Sequence, residues 1–492
     1  IANKEKIIVF ADYDADGICG STVLHDFLKE VGADFETFIP DRFREPFGLT
    51  EDRVRQFHSA GAKLVITVDF GVTDYDEVEL ANSLGLDVII LDHHIVPPRW
   101  PNAYAVVDHK QPDDAYPSKV LCGTGLAFKL VQGILAKERY GLMPGWEKWL
   151  LDVVAIATVA DMVPLIQENR TLLHYGLKVL QKTRRIGLQK LFEKSGVAQN
   201  RISEETIGFS IAPKINASSR MDHSNTSFEL LTTMNEKEAE WLVERVWQSN
   251  EERRKIVEEI LAKIKLRLQG MLEIPKIIFE GAEGWPPGVL GIVANRLVEL
   301  YQRPSFVYSV IEQGVVKGSC RSALGVNVVS MMRTCEDVLS DFGGHDWSGG
   351  FSTDVSKLSA LEEKIIRYPV EINGVNGSKP IEIDMELDLQ TVGWNEYHDI
   401  KKMAPFGIAN PEPLFLAKYC EVGRVRLMGE GERHARIVFK NIPYEAIAFF
   451  RGADLKNIKE GDRIDIVFAM QANRWNGNEK LEMRMVDFCL CA

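Results

Sequence analysis

Apolar residues in this chain fall in short runs that end on charged ones. Residues 6–11 read as a buried strand, 18–31 as a helix and 33–39 as a second strand. Leu64–Val68 and Val88–Leu91 read as two more strands, set apart by helical sequence. Strands alternating with helices predict a parallel α/β sheet. From Gly123 to about Gln181 the pattern is mainly helical, and from Glu236 to about Met271 it predicts one long charged helix, solvated and lying between domains. A second α/β unit starts at Ile277-Ile278-Phe279 and enters a helix through the Pro286-Pro287-Gly288 turn. Its next strand, beginning at Val315, leads into a polar turn. From about Lys379 the strands become short and turn-separated, as at 422–427 and 463–468, which predicts a small all-β barrel. The boundaries drawn from this texture are 1–195, 196–272, 273–372 and 373–492.

Where the runs stop is where the chemistry gathers. The first strand stops at Asp12, Asp14 and Asp16, three acids spaced by two and followed by Gly17. Leu64–Val68 stops at Asp69, and Val88–Leu91 stops at Asp92-His93-His94. The apolar stretch Val153–Ala160 stops at Asp161, before Pro164 breaks the element. One acidic strand end is ordinary, because a strand must stop on something polar. Several at the carboxyl edge of a parallel sheet, where such sheets bind ligands, indicate a site. Clustered carboxylates repel at neutral pH and need a cation or raised pKa values. A mixed carboxylate and imidazole set suits Mn²⁺, with Mg²⁺, Co²⁺ or Zn²⁺ as alternatives. Two ions ~3.5–4 Å apart suit phosphoryl hydrolysis. No serine or cysteine has comparable support as a nucleophile; Cys19 reads as a buried helix residue. Elsewhere, Pro213–Met221 mixes two cations, an amide and small residues, which suits an anion, and a glycine-rich turn surrounds His345.

Composition narrows the class. A length of 492 residues fits about three to four domains. A net charge of -13 argues against a simple basic nucleic-acid-binding module, so any basic groove must be local. The 7 cysteines are scattered with no C-x-x-C pair, which argues against a disulfide framework or structural zinc and suits a reducing, cytoplasmic setting. No apolar run approaches the ~20 residues of a membrane span, and no signal peptide is present. The chain opens almost directly on its first strand, so a natural N-terminal extension is expected to be missing.

Asp14-Ala15-Asp16-Gly17, Asp92-His93-His94 and Asp161 together resemble the DHH phosphoesterase superfamily. Asp12 through Gly17, Val68-Asp69-Phe70-Gly71 and Thr158 through Leu165 are similar, in order, to motifs of the RecJ single-stranded-DNA exonucleases within it. The resemblance continues through the turn at Ile215-Asn216-Ala217 to Arg220, the helix entry Gly288 through Ala294, Gly343-Gly344-His345 and Pro405 through Pro413. It implies a DHH catalytic domain (1–195), a connecting segment with the long helix (196–272), a DHHA1 substrate-binding domain (273–372) and an OB-like nucleic-acid-binding domain (373–492).

The resemblance also implies roles. Asp14, Asp16, Asp69, His93 and Asp161 would hold two divalent ions, Mn²⁺ before Mg²⁺, with Asp69 bridging. His94 would face the scissile phosphate, and Asp12 and Asp92 would support the ligands from behind or join them. Arg42, Phe47, Asn216, Arg220, Ser319, Arg321 and His345 would contact the bound strand. In the barrel, Arg426, with Arg424, Arg433 and Arg436, would follow phosphates, and Trp475 would stack on bases or fill the core. Phe47, Lys214, Ser219, Pro286 and Cys320 depart from the family's usual residues, all outside the metal set. The implied activity is 5′→3′ hydrolysis of single-stranded DNA to mononucleotides in repair and recombination. The implied partners are single-stranded DNA, a single-strand-binding protein and a helicase, with the chain a monomer. The alternatives are a DHH-family oligoribonuclease or cyclic-dinucleotide phosphodiesterase, which are typically shorter and lack the barrel, and a non-catalytic replicative-helicase scaffold, which would have lost metal ligands.

Overall fold

The computed structural model describes residues 1–42, 45–221, 225–323, 325–370, 380–475 and 478–491. The chain divides into two compact units, one made of residues 1–161 and 175–378, the other of 162–174 and 379–492.

The first unit opens with β1 (Lys6–Ala11), β2 (Phe35–Phe38), β3 (Ala62–Val68), β4 (Asp87–Leu91) and β5 (Ala105–Val107). They form one parallel sheet in the order β2-β1-β3-β4-β5. β1 and β3 are almost continuously apolar because helices cover both faces of such a sheet. Ala11 pairs with Val68, Val68 with Leu91 and Leu91 with Val107. The ladder runs one residue further: the N–H groups of Asp12, Asp69 and Asp92 donate to the carbonyls of Val68 (3.1 Å), Leu91 (2.8 Å) and Val107 (3.3 Å). This register sets Asp12, Asp69, Asp92 and Asp108 in one row just past the carboxyl edge.

A second sheet in the same unit comprises β6 (Ile278–Glu283), β7 (Ser305–Val310), β8 (Val315–Arg321), β9 (Asp341–His345) and β10 (Ser348–Asp354), in the order β6-β7-β8-β10-β9. The segment around His345, which reads as a turn in the sequence, is a strand: Gly343 pairs with Gly350 and Gly344 with Gly349. A Cβ on Gly344 would come within 2.3 Å of the Ser348 carbonyl oxygen, so the close approach of β9 and β10 depends on glycine there. Pro287 opens the Pro287–Tyr301 helix, where its missing N–H costs nothing.

Two other stretches also differ from the sequence reading. Ile215 through Arg220 lies within a helix, Ala212–Met221, preceded by a π-helical turn at Ile207–Ile211. Pro213 lies just after that π-helical turn, and the helix continues past it. The long helix spans Glu236–Gln269, but it is not solvated all round: Leu242, Val246, Val257, Ile260, Ile264 and Leu268 form a buried stripe along it.

In the second unit, β11 (Met385–Glu386) lies beside β12 (Phe415–Met428), followed by β13 (His434–Phe439), β14 (Glu445–Ala448), β15 (Arg463–Trp475) and β16 (Asn478–Leu490). The order β11-β12-β13-β14-β16-β15, with β12 pairing back onto β15, closes a five-strand barrel and removes its open edges. Val422, Ile437, Ile464, Ile466 and Phe468 are fully buried inside it. Among the described residues, no helix is long and apolar enough to cross a membrane.

Candidate active site

The row of strand-end acids meets two further elements. Asp14 caps the Ala15–Glu30 helix, its Oδ1 accepting the N–H groups of Asp16 (2.8 Å) and Gly17 (3.2 Å). A Cβ on Gly17 would lie 2.3 Å from the Asp12 carbonyl oxygen, so the tight turn between Asp12 and Asp16 needs this glycine. Asp16 is held from far along the chain. Its Oδ2 accepts the Gly123 N–H (2.6 Å) and its Oδ1 the Thr124 N–H (2.8 Å), at the start of the Gly123–Lys137 helix. A helix N-terminus favours a carboxylate electrostatically. Asp161 is the C-cap of the Leu151–Ala160 helix.

These elements converge on three overlapping groups: Asp16, His93 and Asp161; Asp69, His93 and His94; and Asp12, Asp14 and Asp69. In each group one potential ligand atom per residue lies within 4.8 Å of the others. His93 Nε2 is 3.0 Å from Asp69 Oδ1 and 3.7 Å from both Asp16 Oδ2 and Asp161 Oδ2. Yet Asp69 Oδ1 and Asp161 Oδ2 are buried without a hydrogen-bond partner. Burial and the neighbouring carboxylates push Asp69 and Asp161 well above the ordinary aspartate pKa. Burial, then Asp14, lifts Asp12 to about 8, and burial, then Asp16, raises Asp14. Burial lowers His93 to about 4, which keeps its imidazole neutral and able to ligate. Asp69 also adopts a left-handed backbone, φ 70°, an uncommon conformation for a non-glycine residue that functional sites often retain. Buried, mutually repelling carboxylates, two of them with orphaned oxygens around a neutral imidazole, fit a divalent cation set.

Asp92 plays a different part. Its Oδ1 accepts the N–H groups of His93 (2.7 Å) and His94 (3.0 Å) and lies 2.7 Å from His94 Nδ1, while its Oδ2 accepts the Val72 N–H (3.0 Å). Burial alone would raise its pKa, but these donors and the His94 charge hold it below the ordinary value. Asp92 in turn raises His94 against the effect of burial. Asp92 therefore orients His94 through Nδ1.

The residues proposed to grip the strand divide by unit. In the first, Arg42 lies over the Tyr13 ring at 4.9 Å, and Phe47 sets its ring edge-on to Tyr13 and Phe70. Tyr13, Arg42, Phe47, Gly288, Ser319 and Gly343 line a cleft of about 680 Å³. Arg220 donates to the Gly288 carbonyl (2.9 Å). Burial, then the charge of Arg42, lowers the Arg220 pKa to about 10; Arg253 and Arg321 act in the same direction, against Asp14. Arg321 donates to its neighbour's carbonyl, that of Cys320 (2.8 Å). Asn216 Oδ1 accepts the Ala15 N–H (2.8 Å), so this amide braces the first acidic turn. His345 lies in β9, but its side chain falls outside the described residues. In the second unit Arg426 faces Arg436 across β12 and β13. Trp475 ends β15, and its side chain also falls outside the described residues.

Sequence reading missed four neighbours of the centre. Gly123 and Thr124 anchor Asp16, and their signal was a glycine-bearing helix start. Arg253, on the long helix, is close enough to act on Arg220. Lys110 follows β5, and its charge is felt by His93, His94 and Asp161. Its signal was Ala105-Val106-Val107 stopping at Asp108, the same pattern as the other strand ends.

A parallel sheet with acids at its edge, a second mixed sheet and a closed barrel define a DHH–DHHA1 protein with an OB domain. The family model for the DHH family N-terminal domain matches residues 6–158, that for the DHHA1 domain 274–370, and that for the RecJ OB domain 383–487. The single-stranded-DNA-specific exonuclease RecJ of Bacillus subtilis is 35% identical over 99% of this chain, which spans 62% of that relative's length. The crystal structure of Thermus thermophilus RecJ in complex with Mn²⁺ superposes with a TM-score of 0.84 at 30% identity, covering 99% of this chain and 69% of that one. Its complex with Mg²⁺ gives 0.77 at 28%, covering 99% and 68%. The chain belongs to the RecJ family.

Proposed function

We propose that this chain is a metal-dependent exonuclease that degrades single-stranded DNA from the 5′ end, releasing mononucleotides. The observation that carries the reading is the pair of buried, orphaned carboxylate oxygens, on Asp69 and Asp161, around His93. Asp14, Asp16, Asp69, His93 and Asp161 would hold two divalent ions, with Asp69 shared; Mn²⁺ is the preferred ion and Mg²⁺ the alternative. Such ions, when bound, activate water and offset charge on the attacking and leaving oxygens. The chain's own residues do the rest. Asp92 fixes His94 so that its imidazole can meet the scissile phosphate. Arg42, Arg220, Ser319 and Arg321 draw phosphates towards the centre, and Phe47 and Tyr13 offer ring faces in the same cleft. Asp12 would support the metal ligands from behind or join them.

This reading includes action as a monomer in the cytoplasm, alongside a single-strand-binding protein and a helicase in repair and recombination. The direct test offers 5′-labelled and 3′-labelled single strands of DNA and RNA with Mn²⁺ and Mg²⁺ in parallel. Metal-dependent loss of the 5′ label from DNA is expected. Cleavage without metal, or none with either ion, defeats the reading, and a preference for RNA moves the chain to the oligoribonuclease class.

A further inference from the structure

Beside β14 the barrel presents an aromatic residue in a conformation that suits glycine. Phe450 has φ 59° and is 74% exposed; its neighbour Phe449 is 47% exposed. A bulky side chain in the left-handed region costs free energy, and a ring left 74% exposed returns little to folding. The strain is nonetheless built in. The Phe450 N–H donates to His434 Nδ1 (3.0 Å), and the His434 ring stands edge-on to Phe449 (5.5 Å) and Phe450 (4.8 Å). The Gly452 N–H donates to the Arg433 carbonyl (3.0 Å), and a Cβ on Gly452 would lie 1.9 Å from the Glu432 carbonyl oxygen. The 449–452 turn is thus clamped against the loop joining β12 to β13. Between them lies a pocket of about 370 Å³ lined by Leu427, Phe450 and Ala453 and by the charged Glu432, Arg433 and Lys456. Arg451 is drawn away to Asp454 and Asp487.

We propose that this pocket binds single-stranded nucleic acid, one base stacking on Phe450 while Arg433 and Lys456 meet the flanking phosphates. The inference rests on the single-strand reading above and adds a contact that neither Arg426 nor Trp475 supplies. An exposed ring packed edge-on against His434 is a stacking face that loses little freedom on binding, and stacking with flanking cations tolerates any base.

The test measures binding of a long fluorescein-labelled oligothymidylate to the full chain in EDTA, where metal-dependent turnover is absent. Phe450→Ala is expected to weaken binding about 5- to 100-fold. Phe450→Trp is expected to keep the affinity and to show indole quenching on strand addition beyond the parent's. Phe450→Gly separates function from structure: it is expected to weaken binding as alanine does while raising the thermal midpoint, because glycine takes the same φ without strain. Unchanged affinity in the alanine and glycine variants overturns the proposal and leaves the pocket to another partner, such as an acidic peptide. A glycine variant that melts lower also overturns it, since the ring is then a structural element. If the parent itself does not bind the strand, the single-strand reading fails, which is distinct from failure of this pocket alone.

Discussion

Asp92 and Asp108 stand in the same row, one strand apart, and behave in opposite ways. Each ends a parallel strand, and each accepts the N–H two residues on, from His94 (3.0 Å) and Lys110 (2.7 Å). Asp92 gains three more contacts, from the His93 and Val72 N–H groups and from the His94 ring, and its pKa sits below the ordinary value despite burial. Asp108 keeps Oδ2 buried and unpartnered, and burial pushes its pKa to about 6. A strand end therefore supplies only a carboxylate. The donors around it decide whether that carboxylate is a fixed charge that aims a histidine or an acid close to its neutral form.

Removing members of the row tests this contrast. The largest effect is expected from Asp69→Asn, chosen because asparagine tolerates a left-handed backbone. Turnover should fall by at least about a thousandfold, while the metal-free protein melts higher, since one buried, repelled carboxyl has gone. An active variant refutes the central place of Asp69. Asp92→Ala comes next, with turnover reduced about 10- to 100-fold, because His94 loses its orienting partner. Parental rates in that variant would erase the distinction between the two acids. Lys110→Met should cost roughly tenfold in turnover, because its charge acts on His93, His94 and Asp161. An unchanged rate would show that its charge serves only the fold.

Asp108→Asn should leave turnover within about twofold and act instead on stability. The folded pKa is raised, so the unfolded chain loses this proton first as pH climbs from the ordinary aspartate value towards 6. The parent therefore loses stability over that window and the variant does not. Thermal melts at pH 4 and pH 7 should show the variant's advantage growing with pH, by on the order of 1 kcal/mol. A constant difference would mean that Asp108 titrates normally.

The strand ends were legible because a buried parallel strand is written as an apolar run and must stop abruptly. Asp12, Asp69, Asp92 and their histidines follow from that rule; the barrel follows from its turns, although β12, β15 and β16 run to 14, 13 and 13 residues, longer than the short strands expected from the sequence. What the sequence hides is contact between distant segments. Nothing near Asp16 announces that Gly123 and Thr124, 107 and 108 residues away, donate to its carboxylate. Asn216 reads as a contact for the bound strand, and nothing near it announces that its Oδ1 accepts the Ala15 N–H, 201 residues away. Lys110 escaped notice because β5 is three residues long, too short to stand out as a strand. Gly343 and Gly344 read as a turn because glycine marks turns and close strand approaches alike.

The central claim is that this convergence of carboxylates and His93 holds a pair of cations. Isothermal titration of Mn²⁺ into the metal-stripped parent and Asp69→Asn tests it most directly. Two ions per parent chain are expected, with at least one lost or much weakened in Asp69→Asn. A parent that takes up no Mn²⁺, or a variant that binds the same number with the same affinity, would contradict it.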